Sequence, residues 1–437
     1  MNRKIRVAVA FCAMAGLGVV ASATFGQEQQ HATAKLQVRH AIKPAKTADA
    51  EQVKSAVAEG KPSKTPMLPL FTYNVNSDRD GNEYTGVIVG ADPFKPWGKK
   101  NTQVKTFIVP LIIVTNTVGV SFDPNTGVIG TAPGVTVFDP TKNDNGCLAA
   151  PNNNPLKLFQ QSPIFDSYDI SIGGTDIGHT QYEDAMQRAE FWNVIEDKDD
   201  YHVIFSPVVN LSAIVINVPA AFSTTLPPAD FPACGPFGIV DVDWLDTYLN
   251  TNVLPALQPQ VNAGNIPFFM MYNTVLAGPV TNLGSCCILG YHGTTNFTPL
   301  QAYSPTDFDT TGLFGPTAGD SNTLSHEAGE FINDPFGNNP TPAWGGVGQV
   351  PPGFCQGNLE VGDPLSGTNF SPIGGRNGFT YHLQELAFFS WFFSSQSTGI
   401  HGWFSDNDTF TTDAGPVCGS SGGSGGATSP IRLIGKK

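Results

Sequence analysis

A histidine and two glutamates lie close together in the segment TLSHEAGEFINDP, residues 323–335. His326 and Glu330 are four residues apart, so a helix places both side chains on one face, where they can bind a single cation. Glu327 lies about 100° away around the helix axis, within reach of a water bound to that cation. In H-E-x-x-H zinc hydrolases two histidines bind the metal and the glutamate is the general base. The spacing here predicts the same site with Glu330 as the second ligand and Glu327 as the base.

Two further carboxylates follow in the turn CQGNLEVGDP, residues 355–364. Either Glu360 or Asp363 can fold back to complete the metal site, and Glu360 is the preferred third ligand. The alternative is that both belong to a solvated acidic turn. Carboxylates bind zinc at about 2.0–2.2 Å but neutralise part of its charge, so they weaken its effect on bound water. We therefore expect either a slow zinc hydrolase or a harder metal such as calcium or manganese.

A second histidine, His292, follows an apolar run in the segment GYHGTT. At the end of a strand it would face the cleft, as an oxyanion stabiliser in catalysis or as an extra metal ligand. A hydrogen-bonded structural histidine is the competing interpretation.

The segments around these residues favour an α+β fold with a mixed β-sheet and flanking helices. Short β-branched and aromatic runs, separated by glycine, proline and asparagine, predict strands of one substantial sheet. They are YTGVIVG, VKTFIVPLIIVTNTVGVSF, GVTVF, YDISIGG, HVIFSPVV, SAIVINVP and IPFFMMYNTVLAG. Apolar spacings of three and four predict helices at 179–192 and 241–257. The segment carrying His326 is predicted to be helical over 321–334, because Pro335 cannot continue a helix.

The chain divides by composition into five segments. Basic residues ahead of an apolar run and the tripeptide Ala21-Ser22-Ala23 predict a cleaved secretory signal peptide, with an uncleaved membrane anchor as the alternative. The expected segments are a signal peptide at 1–23, a polar linker or pro-segment at 24–65, a strand-rich subdomain with inserted helices at 66–300, a subdomain with the H-E-x-x-E helix at 301–418, and a flexible Gly/Ser tail at 419–437.

Charge and cysteine usage are consistent with an exported protein. The net charge is -14, and loss of the signal peptide with its three basic residues and no acids takes it to -17. Such a chain repels phosphate backbones, so we expect no nucleic-acid partner. Six cysteines remain outside the signal peptide, an even number that predicts disulfides but allows 15 pairings. They are Cys147, Cys234, Cys286, Cys287, Cys355 and Cys418.

These motifs together resemble the exordium-like (phosphate-induced) extracellular protein family and related bacterial secreted proteins. The resemblance rests on TLSHEAGEFINDPF, Trp344, LEVGDP and FTYHLQELAFFSWFF, with FIVPLIIVTN, QYEDAMQRAEFW and ILGYHG upstream, and it covers most of residues 105–395. It implies a zincin-like metallopeptidase in which His326 and Glu330 bind the metal, Glu327 is the base, and Glu360 or Asp363 completes the shell. The chain departs from the family pattern in its longer loop, residues 337–354.

The leading hypothesis is a secreted, extracellular or periplasmic, metal-dependent hydrolase, most simply a zinc peptidase. Its expected partner is a protein or peptide substrate or a cell-surface polymer, with no membrane association after signal cleavage and a monomeric state. The alternative is a non-catalytic extracellular binding or structural protein whose acidic cluster holds calcium or no metal.

Overall fold

The fold is known from a computed structural model, which describes residues 39–59, 65–95, 101–195, 198–412 and 418. The expected signal peptide and the expected Gly/Ser tail lie outside these residues. Within the described residues, no helix combines the length and the apolar character needed to cross a membrane.

The helices are short and widely spaced along the chain. They are α1 Thr47–Ala58, α2 Pro155–Gln160, α3 Tyr182–Glu190, α4 Val242–Tyr248, α5 Leu254–Leu257, α6 Asn322–Asn333 and α7 Phe389–Phe393. A π-helical turn at Leu249–Val253 joins α4 to α5. The helix predicted at 241–257 is therefore continuous. The one predicted at 179–192 is confined to α3, because residues 179 and 180 belong to a strand.

Strands account for most of the regular structure. The first ten are β1 Arg39–Lys43, β2 Leu70–Asn76, β3 Glu83–Val89, β4 Asn101–Phe122, β5 Ile129–Phe138, β6 Tyr168–Ile172, β7 Thr175–Thr180, β8 His202–Asn210, β9 Ile214–Asn217 and β10 Ser223–Leu226. The others are β11 Phe237–Asp241, β12 Asn265–Tyr272, β13 Thr274–Ala277, β14 Ile288–Thr294, β15 Ala302–Phe308, β16 Pro340–Trp344, β17 Gln356–Asn358, β18 Ile373–Gly374 and β19 Thr380–Tyr381.

Eleven strands form one mixed sheet, so the predicted α+β class with a mixed sheet is confirmed. Its order is β1-β14-β13-β11-β10-β4-β12-β15, with β5, β8 and β9 also paired to β4. The long strand β4 is parallel to β8, β9 and β12 and antiparallel to β5. β15 also pairs with β14, which brings the two strands next to α6 side by side.

Two expectations about this sheet were wrong. The runs YTGVIVG and YDISIGG form strands β3 and β6, but these pair with β2 and β7 in separate two-stranded sheets. The sheet also crosses the expected subdomain boundary at residue 300, because β15 pairs with β12 and β14 from the first part of the chain. Alternation within a strand does not show which other strand it pairs with, so composition alone misplaced both features.

Residues 39–59 of the expected linker contain regular structure. Residues 39–59 contain β1 and α1, and β1 pairs in parallel with β14. Ala50 and Val53 of α1 are buried. The polar composition suggested a segment unable to offset the entropy of ordering, but β1 gains backbone hydrogen bonds from an existing sheet edge. Residues 24–38 and 60–64 of this segment lie outside the described residues.

Three disulfides link the six cysteines that follow the expected signal peptide. The pairs are Cys147–Cys234, Cys286–Cys287 and Cys355–Cys418. The prediction of disulfides is confirmed, and the last pair closes a loop that contains both carboxylates of the 360–363 turn.

Candidate metal centre

Helix α6 carries the first part of the site and is completely buried. Its apolar residues Leu324, Phe331 and Ile332 belong to the main hydrophobic core, which fixes the helix against the sheet. His326 and Glu330 share another face, as the spacing predicts. The helix starts at Asn322, and Ser321 at its N-terminus makes no side-chain capping hydrogen bond.

Gly329 allows this helix to pack closely against its neighbours. A Cβ atom at this position would lie 2.5 Å from Cδ1 of Leu386 and 3.2 Å from Oε2 of Glu183. The glycine costs an isolated helix about 1 kcal/mol relative to alanine. Close packing against Leu386 explains why it is nevertheless found there.

The first group of metal-ligand atoms lies around His326. Its Nε2 atom is 3.0 Å from Oε1 of Glu330 and 3.4 Å from Oδ1 of Asp363. Neither this Nε2 atom nor Oε1 of Glu330 has a hydrogen-bond partner, although both are buried. One atom from each of the three residues lies within 4.8 Å of the other two. The structure therefore groups Asp363, rather than the preferred Glu360, with the two ligands on α6.

Hydrogen bonding fixes the tautomer of His326. Nε2 of Gln384 donates to the carbonyl oxygen of Gly362 at 2.6 Å, so the Oε1 atom of Gln384 faces the Nδ1 atom of His326 at 2.9 Å. Because this oxygen can only accept, Nδ1 of His326 carries the proton. When Nε2 is deprotonated, its lone pair points at the carboxylates, the arrangement found in metal-binding histidines.

A second group of ligand atoms lies around His292 on β14. Its Nδ1 atom is 3.5 Å from Oε2 of Glu330, 3.8 Å from Oε2 of Glu360 and 3.6 Å from Oε2 of Glu327. Its Nε2 atom is 3.0 Å from the carbonyl oxygen of Asp334, which can only accept a hydrogen bond. Nε2 therefore carries a proton, and Nδ1 faces the carboxylates, where it presents a lone pair to a metal once its own proton is lost. Of the two roles predicted for His292, this geometry favours the extra ligand.

The carboxylates of the 360–363 turn are held by amides. Oε1 of Glu360 accepts from Nδ2 of Asn358 at 3.2 Å, and Oε2 of Glu360 is buried without a partner. Oδ2 of Asp363 accepts from Nε2 of Gln356 at 2.6 Å, and Oδ1 accepts from Nε2 of Gln349. Both carboxylates are buried, so the alternative of a solvated acidic turn does not hold.

His40 is the residue that the sequence did not reveal. Its ring stacks on that of His326 with 3.5 Å between centroids, and its Nδ1 atom is 2.9 Å from Oε1 of Glu327. The backbone N–H of His40 donates to Oε1 of Gln349 at 2.6 Å. Strand β1 places it there, with His40 opposite Gly290 of β14. In the sequence, the short run VRHAIK is typical of a strand. It does not indicate that this strand pairs with β14.

The buried carboxylates create a field that favours cations. Burial by itself would lower the pKa of His292, but the neighbouring carboxylates of Glu327 and Glu330 outweigh it and raise this pKa to about 10. Burial likewise opposes protonation of His326, but Glu330, Asp363 and Glu327 raise its pKa well above its usual value. A divalent cation between these groups experiences the same attraction as a proton.

The carboxylates respond to burial and to one another. Burial raises the pKa of Asp363 to about 6, with a further contribution from the charge of Glu330. Burial and then the charge of Glu330 raise the pKa of Glu360 well above its usual value. For Glu330 burial acts in the same direction, but His326 and His292 outweigh it, so its pKa is lowered. The carboxylate of Glu330 thus interacts favourably with both histidines.

Comparisons with protein-family models, curated proteins and solved structures found no significant match to this chain. The resemblance to exordium-like proteins therefore stays a prediction. The function proposed below rests on the geometry around His326, Glu330 and their neighbours.

Proposed function

We propose that this chain is a secreted metal-dependent hydrolase, a zincin-like peptidase whose metal site is built on α6. One observation carries the proposal: the buried Nε2 lone pair of His326 faces carboxylate oxygens of Glu330 and Asp363 at 3.0 and 3.4 Å and has no hydrogen-bond partner. A buried polar atom without a partner costs about 1–3 kcal/mol. A bound cation removes that cost.

The separations of Nε2 of His326 from the two carboxylate oxygens fit one tetrahedral ion. Zinc bonds of about 2.0–2.2 Å at tetrahedral angles separate two ligand atoms by roughly 3.3–3.6 Å. The observed separations of 3.0 and 3.4 Å differ from that range by no more than a few tenths of an ångström. Imidazole nitrogen favours zinc over calcium, which prefers six to eight oxygens. Zinc is therefore the first choice, followed by manganese.

Hydrolysis assigns separate tasks to the residues of this chain. His326, Glu330 and Asp363 would hold the cation, which when bound polarises a scissile carbonyl and acidifies water. Glu327 accepts the proton of the attacking water, because its Oε2 atom is buried and has no partner. The other oxygen of Glu327 contacts Nδ1 of His40 at 2.9 Å in this structure.

The position of His40 supports the interpretation of the N-terminal segment as a pro-segment. It covers His326 by ring stacking and bonds to Glu327, the ligand and the base of the proposed reaction. A substrate carbonyl must reach the same space. We infer that β1 keeps the hydrolase latent and that the active form requires its displacement or removal.

The disulfides and the H-E-x-x-E helix support the secretion and the substrate class in this proposal. Three disulfides fit a protein that matures in an oxidising compartment. The H-E-x-x-E helix and the resemblance to exordium-like secreted proteins favour a protein or peptide substrate, with a cell-surface polymer as the other substrate class.

The decisive test is a Glu327→Gln variant. We expect it to bind zinc like the parent and to lose chelator-sensitive hydrolysis of casein by at least a hundredfold, since general-base catalysis contributes about 10²–10⁴. Both proteins are assayed as purified and in a His40→Ala background, which opens the site. Glu190→Gln is the matched control, because Glu190 is buried in α3 and bonds to the backbone of Phe389. Equal casein hydrolysis by Glu327→Gln and the parent would refute the role of Glu327.

The rival proposal is a non-catalytic extracellular binding or structural protein. Its support is the burial of the cluster, since His326, Glu327 and Glu360 are all 0% exposed. An ion enclosed in this way would stabilise the fold without meeting a substrate. A rise in melting temperature with calcium, combined with no zinc-dependent proteolysis in the His40→Ala background, would favour this rival.

A further inference from the structure

Glu330 belongs to two groups of ligand atoms at once. Its Oε1 atom lies next to His326 and Asp363, whereas its Oε2 atom lies next to His292 and Glu360. The two oxygens of one carboxylate thus face two different imidazoles. This is the geometry of a bridging carboxylate.

The second group has the features of a built site. Nδ1 of His292 and Oε2 of Glu360 are each buried without a hydrogen-bond partner, and they lie 3.8 Å apart. The carbonyl oxygen of Asp334 leaves the lone pair of His292 pointing toward the carboxylates. A lone pair facing negative oxygens at 3.5–3.8 Å is repulsive unless a proton or a metal cation lies between them.

Charge neutrality also favours two ions. Glu327, Glu330, Glu360 and Asp363 carry four formal negative charges and are each no more than 4% exposed. Among the described residues, the ion pairs of these four carboxylates are with histidines. One divalent cation would balance two of these charges, and the other two would need protons on His292 or on a carboxylate. Two divalent cations would balance all four.

We propose that the site binds a pair of divalent transition-metal ions bridged by Glu330. One ion is held by His326, Glu330 and Asp363, and the other by His292, Glu330 and Glu360. This inference rests on the proposed metal-dependent function and extends it from one ion to two. Paired ions about 3.5–4 Å apart can stabilise both the attacking and the leaving atoms of a hydrolytic reaction. His292 and Glu360 are then metal ligands.

Zinc stoichiometry tests the pair directly. The full-length chain is dialysed against zinc chloride and washed, and zinc per chain is measured by plasma mass spectrometry. We expect two ions in the parent and one in either His292→Ala or His326→Ala. His179→Ala is the matched control, because His179 is exposed and paired with Asp169, and it should retain two.

The outcomes separate this inference from the proposed function. One zinc in the parent, lost in His326→Ala and kept in His292→Ala, overturns the pair and leaves the one-metal hydrolase standing. No zinc in the parent overturns both. Two ions that persist in His292→Ala overturn the assignment of the second site to His292.

A spectroscopic measurement on the parent avoids variants that fail to fold. Loaded with manganese, the chain should give the exchange-coupled electron paramagnetic resonance spectrum of an ion pair, because a shared carboxylate holds the ions about 3.5–4 Å apart. A spectrum of isolated manganese ions would overturn the bridge through Glu330.

Discussion

Gly362 lies between the two carboxylates of the 360–363 turn and directly against the proposed zinc ligand His326. A Cβ atom at this position would overlap the imidazole ring at Nδ1, and would lie 2.6 Å from Cγ and 2.7 Å from Cε1. The backbone at Gly362 has φ −82° and ψ −36°, which alanine adopts without strain. A Gly362→Ala change therefore tests packing against His326 in isolation from backbone conformation.

The expected change in the free energy of unfolding combines an overpacking cost with a gain from the unfolded chain. Overpacking a full core costs about 1–3 kcal/mol, and alanine recovers about 0.4–1 kcal/mol by restricting the unfolded chain. His40 already stacks on the imidazole, so the ring has little room to yield. We expect a net loss of about 1–2 kcal/mol in the free energy of unfolding. Displacement of His326 from Gln384 should weaken zinc binding by about 10–100-fold, as for other groups that orient ligands.

Two assays measure these effects separately. Urea unfolding of the metal-free chain gives the stability change, and competition with a chromophoric chelator gives the zinc affinity. Gly374→Ala is the matched control, because a Cβ atom there meets nothing within 4 Å; its stability should stay within about 0.5 kcal/mol of the parent. If Gly362→Ala bound zinc as tightly as Gly374→Ala, the imidazole of His326 would not be a ligand.

Three further predictions concern groups around the site. Gln384→Leu removes the acceptor that fixes the tautomer of His326, so zinc affinity in the chelator assay should fall about 10–100-fold, whereas Gln384→Glu should retain it. Burial raises the pKa of Glu190 to about 8, against about 4.3 in an unfolded chain. Protonated Glu190 thus contributes stability that is complete below about pH 4.3 and is lost as pH rises through about 8. Between pH 5 and pH 8, urea unfolding should show the parent losing about 4 kcal/mol of unfolding free energy relative to Glu190→Gln. An equal pH dependence of the unfolding free energy in the two proteins would contradict this. Cys355→Ser opens a disulfide loop with a sequence separation of 63. Because the disulfide restricts the unfolded chain, thermal or urea unfolding should show a loss of about 4 kcal/mol in the free energy of unfolding. A loss below about 1 kcal/mol would contradict this explanation.

The parts of the fold that sequence predicted are those decided by local patterns. Strand β4 and helix α6 each follow from side-chain periodicity and from their flanking glycine or proline residues. The pairing of strands is a long-range property, so the expected boundary at residue 300 cut through the sheet between β12 and β15. The cysteine pairing needed the same long-range information.

In the candidate site, too, local spacing predicted some residues, and long-range contacts determine the others. The pair His326 and Glu330 was visible because a helix fixes side chains four residues apart. The partition of Glu360 and Asp363 between two imidazoles depends on how the turn packs against α6 and β14 and could not be predicted from the turn itself. His40 was missed because its role arises from a strand pairing with β14 across about 250 residues.

The most direct test is anomalous diffraction from crystals of the full-length chain, prepared with zinc and without chelator. We expect an anomalous peak at the zinc edge about 2.0–2.2 Å from Nε2 of His326 and from a carboxylate oxygen of Glu330. A well-ordered structure with no peak between these two residues would contradict it.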